Sequence, residues 1–321
     1  MTLFLVLVLS ESPLAQPSAL EVDVASDEKI EILLKSAELF ISGIEGERLK
    51  VSSPHAVWLS SLKWKRSGGR LTLQDEASPT APNVDSAAGN SRVRVEVFVP
   101  RRNTLVKLSD GRAVLRNLSA ETTVNLLDGK ISLERLNALT RLQVLKGDIH
   151  IVGGAHRLEI EQGEGTLTLE GFAGDARLST LSVKISASKL RGNNSVEMYT
   201  GSLQCNDCSG QLKIEGARPQ VSLGKWSGVL EGRFREGQMS ADLEPGTNAD
   251  LSGGATRFNL RLAKGGAWRI DARSQLADIS VQPPLRAIRQ QGDTVVLYRS
   301  EGSENPIRLT VRSKDGPIVL R

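Results

Sequence analysis

Between Val93 and Leu243 the chain repeats every 18 residues with hardly a slip, and few architectures can satisfy that period. Gly111, Gly129, Gly147, Gly165, Val183, Gly201, Pro219 and Gly237 mark it. Two residues after each marker stand Ala113, Ile131, Ile149, Leu167, Ile185, Leu203, Val221 and Met239. Four after stand Leu115, Leu133, Ile151, Leu169, Ala187, Cys205, Leu223 and Ala241. One step back from Gly111, Val95 and Val97 fill the same two places. Only 39% of the chain is apolar, so two columns apolar throughout would arise by chance on the order of 10⁻⁸ of the time.

A helix of five turns also returns to one face after about 18 residues. The spacing inside the period decides against it. Lys130-Ile131-Ser132-Leu133-Glu134 and Thr166-Leu167-Thr168-Leu169-Glu170 alternate apolar and polar, which is the signature of a strand. Glycine at most markers would also cost a helix about 1 kcal/mol each. Five residues before the markers runs a further apolar column, Val106, Val124, Leu142, Ile160, Leu178, Val196 and Ile214. Seven after comes Leu118, Leu136, Gly154, Phe172, Leu190, Cys208 and Trp226. Each unit thus carries at least two short strands, a glycine corner and three or four inward side chains. One unit cannot bury its own apolar face, whereas stacked units bury a continuous column. The expected fold is an all-β, single-stranded β-solenoid (β-helix) with 18-residue coils. Eight coils would reach roughly 38 Å at strand spacing.

The flanks read as atypical caps. Residues 20–75 hold short alternating segments punctuated by Gly43, Gly46, Gly68 and Gly69, with Trp58 and Trp64 placed to cover the first coil. Residues 76–91 have the composition of a loop. After Leu243 the phase slips, Pro283-Pro284 breaks the pattern, and 295–298, 307–311 and 318–320 look like closing strands. The division is therefore a leader over 1–15 and one solenoid domain over 16–321, with its regular repeats in 93–243.

Leu3 to Leu9 are seven apolar residues, too few to span a bilayer. Followed by Ser12-Pro13-Leu14-Ala15, they read as the core of a signal peptide whose basic leading region lies upstream. The competing reading is a buried first strand. No other stretch is long and apolar enough to cross a membrane. The expected location is the periplasm or the cell surface. Net charge is +4, with 41 basic and 37 acidic residues interspersed, so there is no stripe for nucleic acid.

The strand Val93–Pro100, the Gly-x-apolar-x-apolar units and the final Asp315-Gly316-Pro317-Ile318-Val319-Leu320 together resemble the bacterial β-strand-repeat family labelled "putative adhesin". The resemblance covers roughly residues 20–321. It implies a right-handed β-solenoid, commonly exported, and assigns no activity.

Chemistry is sparse. Cys205-Asn206-Asp207-Cys208 allows buried core thiols, a local disulfide, or a metal or redox site. Both cysteines occupy columns that are apolar in other coils, which favours packing over chemistry. Zinc would need two further ligands, and His150 lies three coils from Cys205 on an outward column. Asp110 and Asp128 stack at a corner, where paired acids are more often solvated turn residues than a hydrolytic pair. Three residues after the markers, Ser132, His150, Thr168, Ser186, Gln204, Ser222 and Ser240 form an uncharged outward strip. Such a strip can meet a glycan or a protein through hydrogen bonds, or be an ordinary solvated face.

The reading is an exported, non-catalytic binding or surface-interaction module, monomeric, without cofactor. Its partner is a protein or glycan at the cell envelope. The alternatives are a polysaccharide-active β-helix enzyme and a self-assembling rod. The export expectation is checked by amino-terminal sequencing of protein from fractionated cells. The mature chain should begin near Gln16, and recovery of an intact Met1 form from the cytoplasm would overturn it.

Overall fold

The computed structural model describes residues 18–75, 92–263, 268–282, 287–290, 293–299 and 307–321. The Leu3–Leu9 run, the 76–91 loop and Pro283-Pro284 lie outside them. The described chain is all-β apart from one short helix. Its first group is β1 (Ser18–Asp23), β2 (Lys29–Gly43), β3 (Arg48–Ser53), α1 (Ala56–Ser61), β4 (Leu62–Ser67), β5 (Arg70–Asp75) and β6 (Arg94–Val99). The central ladder is β7 (Thr104–Arg116), β8 (Thr122–Glu134), β9 (Thr140–Val152), β10 (Arg157–Glu170), β11 (Asp175–Ser188), β12 (Asn193–Asn206), β13 (Ser209–Leu243) and β14 (Asn248–Leu262). The last group is β15 (Trp268–Ser274), β16 (Ile279–Val281), β17 (Ala287–Gln290), β18 (Asp293–Arg299), β19 (Ile307–Ser313) and β20 (Ile318–Leu320). All belong to one long, mostly parallel sheet that does not close into a barrel.

The ladder's register is the sequence period. Ile131 pairs with Ile149, Ile149 with Leu167, Leu167 with Ile185 and Ile185 with Leu203. Every one of these side chains is buried. The residues four after the markers stack the same way, from Leu115 to Ala241. Parallel pairing in register puts like aliphatic groups on top of each other, so the core is a set of columns running through the stack. The slip after Leu243 is a single extra residue: Met239 pairs with Phe258 and Ala241 with Leu260.

Each ladder strand turns a corner at its marker. In β9 the buried residues are Thr140, Leu142 and Val144, then Ile149 and Ile151. The odd step between Val144 and Ile149 re-phases the alternation. At that corner successive backbones nearly touch: a β-carbon on Gly129 would overlap the Gly111 carbonyl oxygen, and one on Gly165 the Gly147 carbonyl. Gly129 has φ 143°, which a side chain would strain further. A second corner follows six residues after the markers. There Asn117, Arg135, Gly153, Gly171, Lys189, Asp207 and Lys225 all take positive φ between 53° and 67°. From Asn117 to Asp207 their N–H groups still donate to the next rung, as Arg135 does to the Val152 carbonyl at 3.1 Å. Cys205 and Cys208 are joined by a disulfide across Asp207, with Cα atoms 6.1 Å apart.

The two ends are interleaved rather than sequential. Leu39 and Ile41 of β2 pair with Ala113 and Leu115 on one side and with Val95 and Val97 on the other. Val95 and Val97 are thus two rungs from Ala113 and Leu115, not one, because β2 lies between. At the far end β19 and β20 sit between β14 and the later strands β15 and β16. Leu309, Val311, Ile318 and Leu320 are fully buried there. Trp58, on α1, and Trp64 pack against the core at the opposite end, the latter on β4 outside β5.

Alternation sets a contrast that thermal melting can read. Ile149→Asp or Leu167→Asp buries a charge among aliphatic neighbours and should cost several kcal/mol. His150→Asp or Thr168→Asp, one residue along and on the outer face, should cost under about 0.5 kcal/mol. Equal losses in both pairs would contradict the register. The corner supplies a second contrast. Gly129→Ala should cost about 3 kcal/mol or more, from overlap and backbone strain. Gly171→Ala, with open space around it but φ 63°, should cost only about 1–2 kcal/mol.

Candidate functional site

The position three after each marker lies between two buried columns, so strand alternation turns it outward. Ser132 pairs with His150, then His150 with Thr168, Thr168 with Ser186, Ser186 with Gln204 and Gln204 with Ser222. Ser240 pairs onward with Asn259, which extends the strip past the regular repeats. Ser132, Thr168 and Ser186 are half-buried, and His150, Gln204, Ser222 and Ser240 are exposed. All seven residues of the expected strip thus occupy one column of the sheet's outer face.

One residue after the markers runs a parallel outward column of Thr166, Lys184, Ser202, Gln220, Gln238 and Arg257. The two columns together line a shallow hollow of about 400 Å³ that includes Gln204, Ser222, Ser240 and Asn259. On the corner side, two further hollows of about 480 and 610 Å³ share Arg218 and Gln220. A smaller one of about 290 Å³ lies between Tyr199, Arg218 and Arg235. The surface is therefore grooved towards the carboxy-terminal half, where amide and hydroxyl side chains follow one another from rung to rung.

The other residues singled out from the sequence are dispersed or committed. Cys205 and Cys208 are each 1% exposed within the core columns. His150 is exposed on the outer face, three rungs away. Asp110 and Asp128 are register neighbours, but the Asp110 carboxylate accepts hydrogen bonds from Arg92 at 2.8 Å and from Ser36 at 3.2 Å. Among the described residues, no three of His, Cys, Asp and Glu gather as metal ligands.

Charged outer columns pair from rung to rung. Arg141 donates to Glu159 at 2.8 Å and also to Glu121. Those hydrogen bonds, Glu159 first, raise the guanidinium's pKa above its usual value. Lys213 holds the Glu215 carboxyl below the usual range, first by a hydrogen bond and then by its charge. A depressed carboxyl stabilises the fold above its ordinary pKa, and that contribution is lost as pH falls through the depressed value. Solvent exposure keeps it small.

Sequence reasoning missed one feature. Two residues before the markers, Leu127, Leu145, Leu181 and Tyr199 are 58%, 65%, 63% and 58% exposed. With Gly163 and Ala217 they form an apolar ridge along the corner. The signal was present as a sixth column, but an apolar column suggests core. Only the re-phasing at the glycine corner turns it outward.

No family model and no curated protein matches the chain. Several solved structures are similar to it. A "putative cell adhesion protein" from Clostridium sporogenes shares 13% identity at a TM-score of 0.24, over 95% of this chain and 99% of that one. A "putative lipid binding protein" from Parabacteroides distasonis shares 13% at 0.41, over 77% and 97%. A "putative adhesin" from Bacteroides fragilis shares 11% at 0.32, over 78% and 98%. These identities and TM-scores are too low for the likenesses to bear on what this chain does.

Proposed function

We propose that this chain is an exported, non-catalytic binding module at the cell envelope, in the periplasm or on the cell surface. It is a right-handed β-solenoid of 18-residue coils that engages a glycan or protein through its flat polar strip. The observation that carries this reading is the register of Ser132, His150, Thr168, Ser186, Gln204, Ser222 and Ser240 on a rigid sheet face, continuous with a groove. A stack of hydrogen-bonded rungs holds such groups at fixed intervals of about 4.8 Å, which pre-organises them for an extended partner. The right hand is supported by the strong preference of parallel-strand crossovers. A disulfide between Cys205 and Cys208 fits an oxidising compartment, and so supports export. A binding role over an enzymatic one is supported by the commitment of Asp110 to Arg92. A monomer over an open polymer is supported by the interleaved ends, which leave no regular rung to be continued.

The test is a glycan array and a pull-down with the mature protein, comparing wild type with a Gln204→Leu, Ser222→Val, Ser240→Val variant. These exposed changes remove hydrogen-bonding groups without adding charge, and each should alter stability by no more than about 0.5 kcal/mol. The variant should melt like wild type and lose the ligands that wild type retains. Retention of the same ligands at the same strength would overturn the assignment of the strip.

A further inference from the structure

The two columns that border the marker corner change character halfway along the stack. Over the rungs marked by Gly111 to Gly165 they carry Arg112, Lys130 and Lys146 against Asp110, Asp128, Asp148 and Glu164. Two of those acids are already engaged: Asp110 by Arg92 at 2.8 Å and Asp148 by Lys130 at 3.5 Å. From Val183 onward the same columns carry Lys184, Arg218 and Arg257 against Glu236 alone. Asp315, from the inserted carboxy-terminal segment, also borders the last hollow, and Glu236 lies 4.0 Å from the further cation Arg235. The side chains of Lys184, Arg218 and Arg257 are exposed, and among the described residues none of them makes an ion pair or hydrogen bond.

These three cations are also evenly placed. Lys184 pairs across the sheet with Ser202, and Ser202 with Gln220. Thr200 pairs with Arg218, and Gln238 with Arg257. Lys184 and Arg218 are two rungs apart, and so are Arg218 and Arg257, which at about 4.8 Å per rung gives steps of roughly 10 Å along the stack, with Arg218 across the corner from the other two. Lys184 and Arg218 border one hollow, Arg218 and Arg257 the next, so the three lie along one groove. Between them the groove offers Ser202, Gln220 and Gln238, neutral groups that both donate and accept.

We propose that this groove binds an acidic polysaccharide lying along the stack, its carboxylates on Lys184, Arg218 and Arg257 and its hydroxyls on Ser202, Gln220 and Gln238. This rests on the polar strip being a binding face, and it names the ligand class. A regular row of charges separated by hydroxyl-matching groups fits an extended polymer with regularly spaced acids better than one compact anion. Arg218 can take a carboxylate with two parallel N–H donors, whereas Lys184 acts as a point charge. A nucleic acid would supply phosphates too, but the groove's described lining offers no aromatic platform for bases beyond Tyr199 on its far flank.

The experiment is binding of the mature protein to hyaluronate, with dextran as the neutral polymer and single-stranded DNA as the other polyanion. Wild type should bind hyaluronate, weaken as salt rises, and ignore dextran. Lys184→Gln, Arg218→Gln, Arg257→Gln should melt like wild type and lose affinity by about tenfold or more, the scale of one charge-assisted hydrogen bond. Arg112→Gln, Lys130→Gln, Lys146→Gln removes equal charge from the compensated half and should bind as wild type does. Equal loss in both triple variants, or DNA binding at least as strong as hyaluronate binding, would overturn the proposal. So would failure to bind hyaluronate, or binding of dextran that the Lys184, Arg218 and Arg257 changes leave intact. If either failure occurs while the Gln204, Ser222 and Ser240 changes still abolish binding of another ligand, the acidic ligand is wrong and the strip stands. If those changes too are without effect, the strip falls with it.

Discussion

The whole stack depends on how closely one backbone passes over the next at the glycine corner. The carbonyl oxygen of Gly111 occupies the place where a β-carbon of Gly129 would stand, and Gly147 relates to Gly165 in the same way. With that approach possible, the strand on each side of the corner hydrogen-bonds in register to the rung above and below. Register in turn puts like side chains into columns. Where the marker is Val183 or Pro219, the side chain is itself buried, so the corner is filled from inside instead. The period is therefore a geometric requirement of closing one rung onto the next, repeated until the phase slips by one residue beyond Leu243.

Much of this was legible because alternation and period are local properties. Ile149 and His150 are neighbours in sequence and face opposite ways, which a strand demands and a helix would not give so sharply. The second corner was not legible. Its left-handed residues include Asn117, Arg135, Lys189, Asp207 and Lys225, and only Gly153 and Gly171 advertise the conformation. The buried polar positions were equally silent. Thr104, Thr122 and Thr140 stack inside, their hydroxyls donating to nearby carbonyls at 3.0, 3.1 and 3.3 Å. Gln162 replaces an aliphatic neighbour and donates to the Gly147 carbonyl at 2.8 Å. A polar residue in a core column can be understood only once its partner is known: for the threonines a carbonyl two residues back, for Gln162 one on the neighbouring rung.

The outer surface divides by the same logic. Where opposite charges alternate from rung to rung, as at Arg141 and Glu159, they satisfy each other and hold the register lightly. Where amides and hydroxyls follow each other, the face stays open to a partner. The strip could be read from sequence because outward position follows from alternation. The grooves beside it could not, since they arise from side-chain lengths on adjacent rungs and from Asp315, Gly316 and Pro317 arriving from the chain's end. The order of strands at both ends escaped for a related reason. Local pattern identifies a strand, but not the neighbour it will choose from far along the chain.

The insertion of β19 and β20 between β14 and β15 has a consequence for how the molecule comes into being. Residues Ile307 to Arg321 supply the hydrogen-bonding partner for the edge of β14. Until they have been synthesised, that edge has nothing native to pair with, and β15 has β18 but not its link to the stack. The central rungs can zip up one after another as they emerge, each resting on the last. The far end cannot. Its closure waits for β19 and β20, so this late segment behaves as a keystone, set only when the arch is otherwise in place.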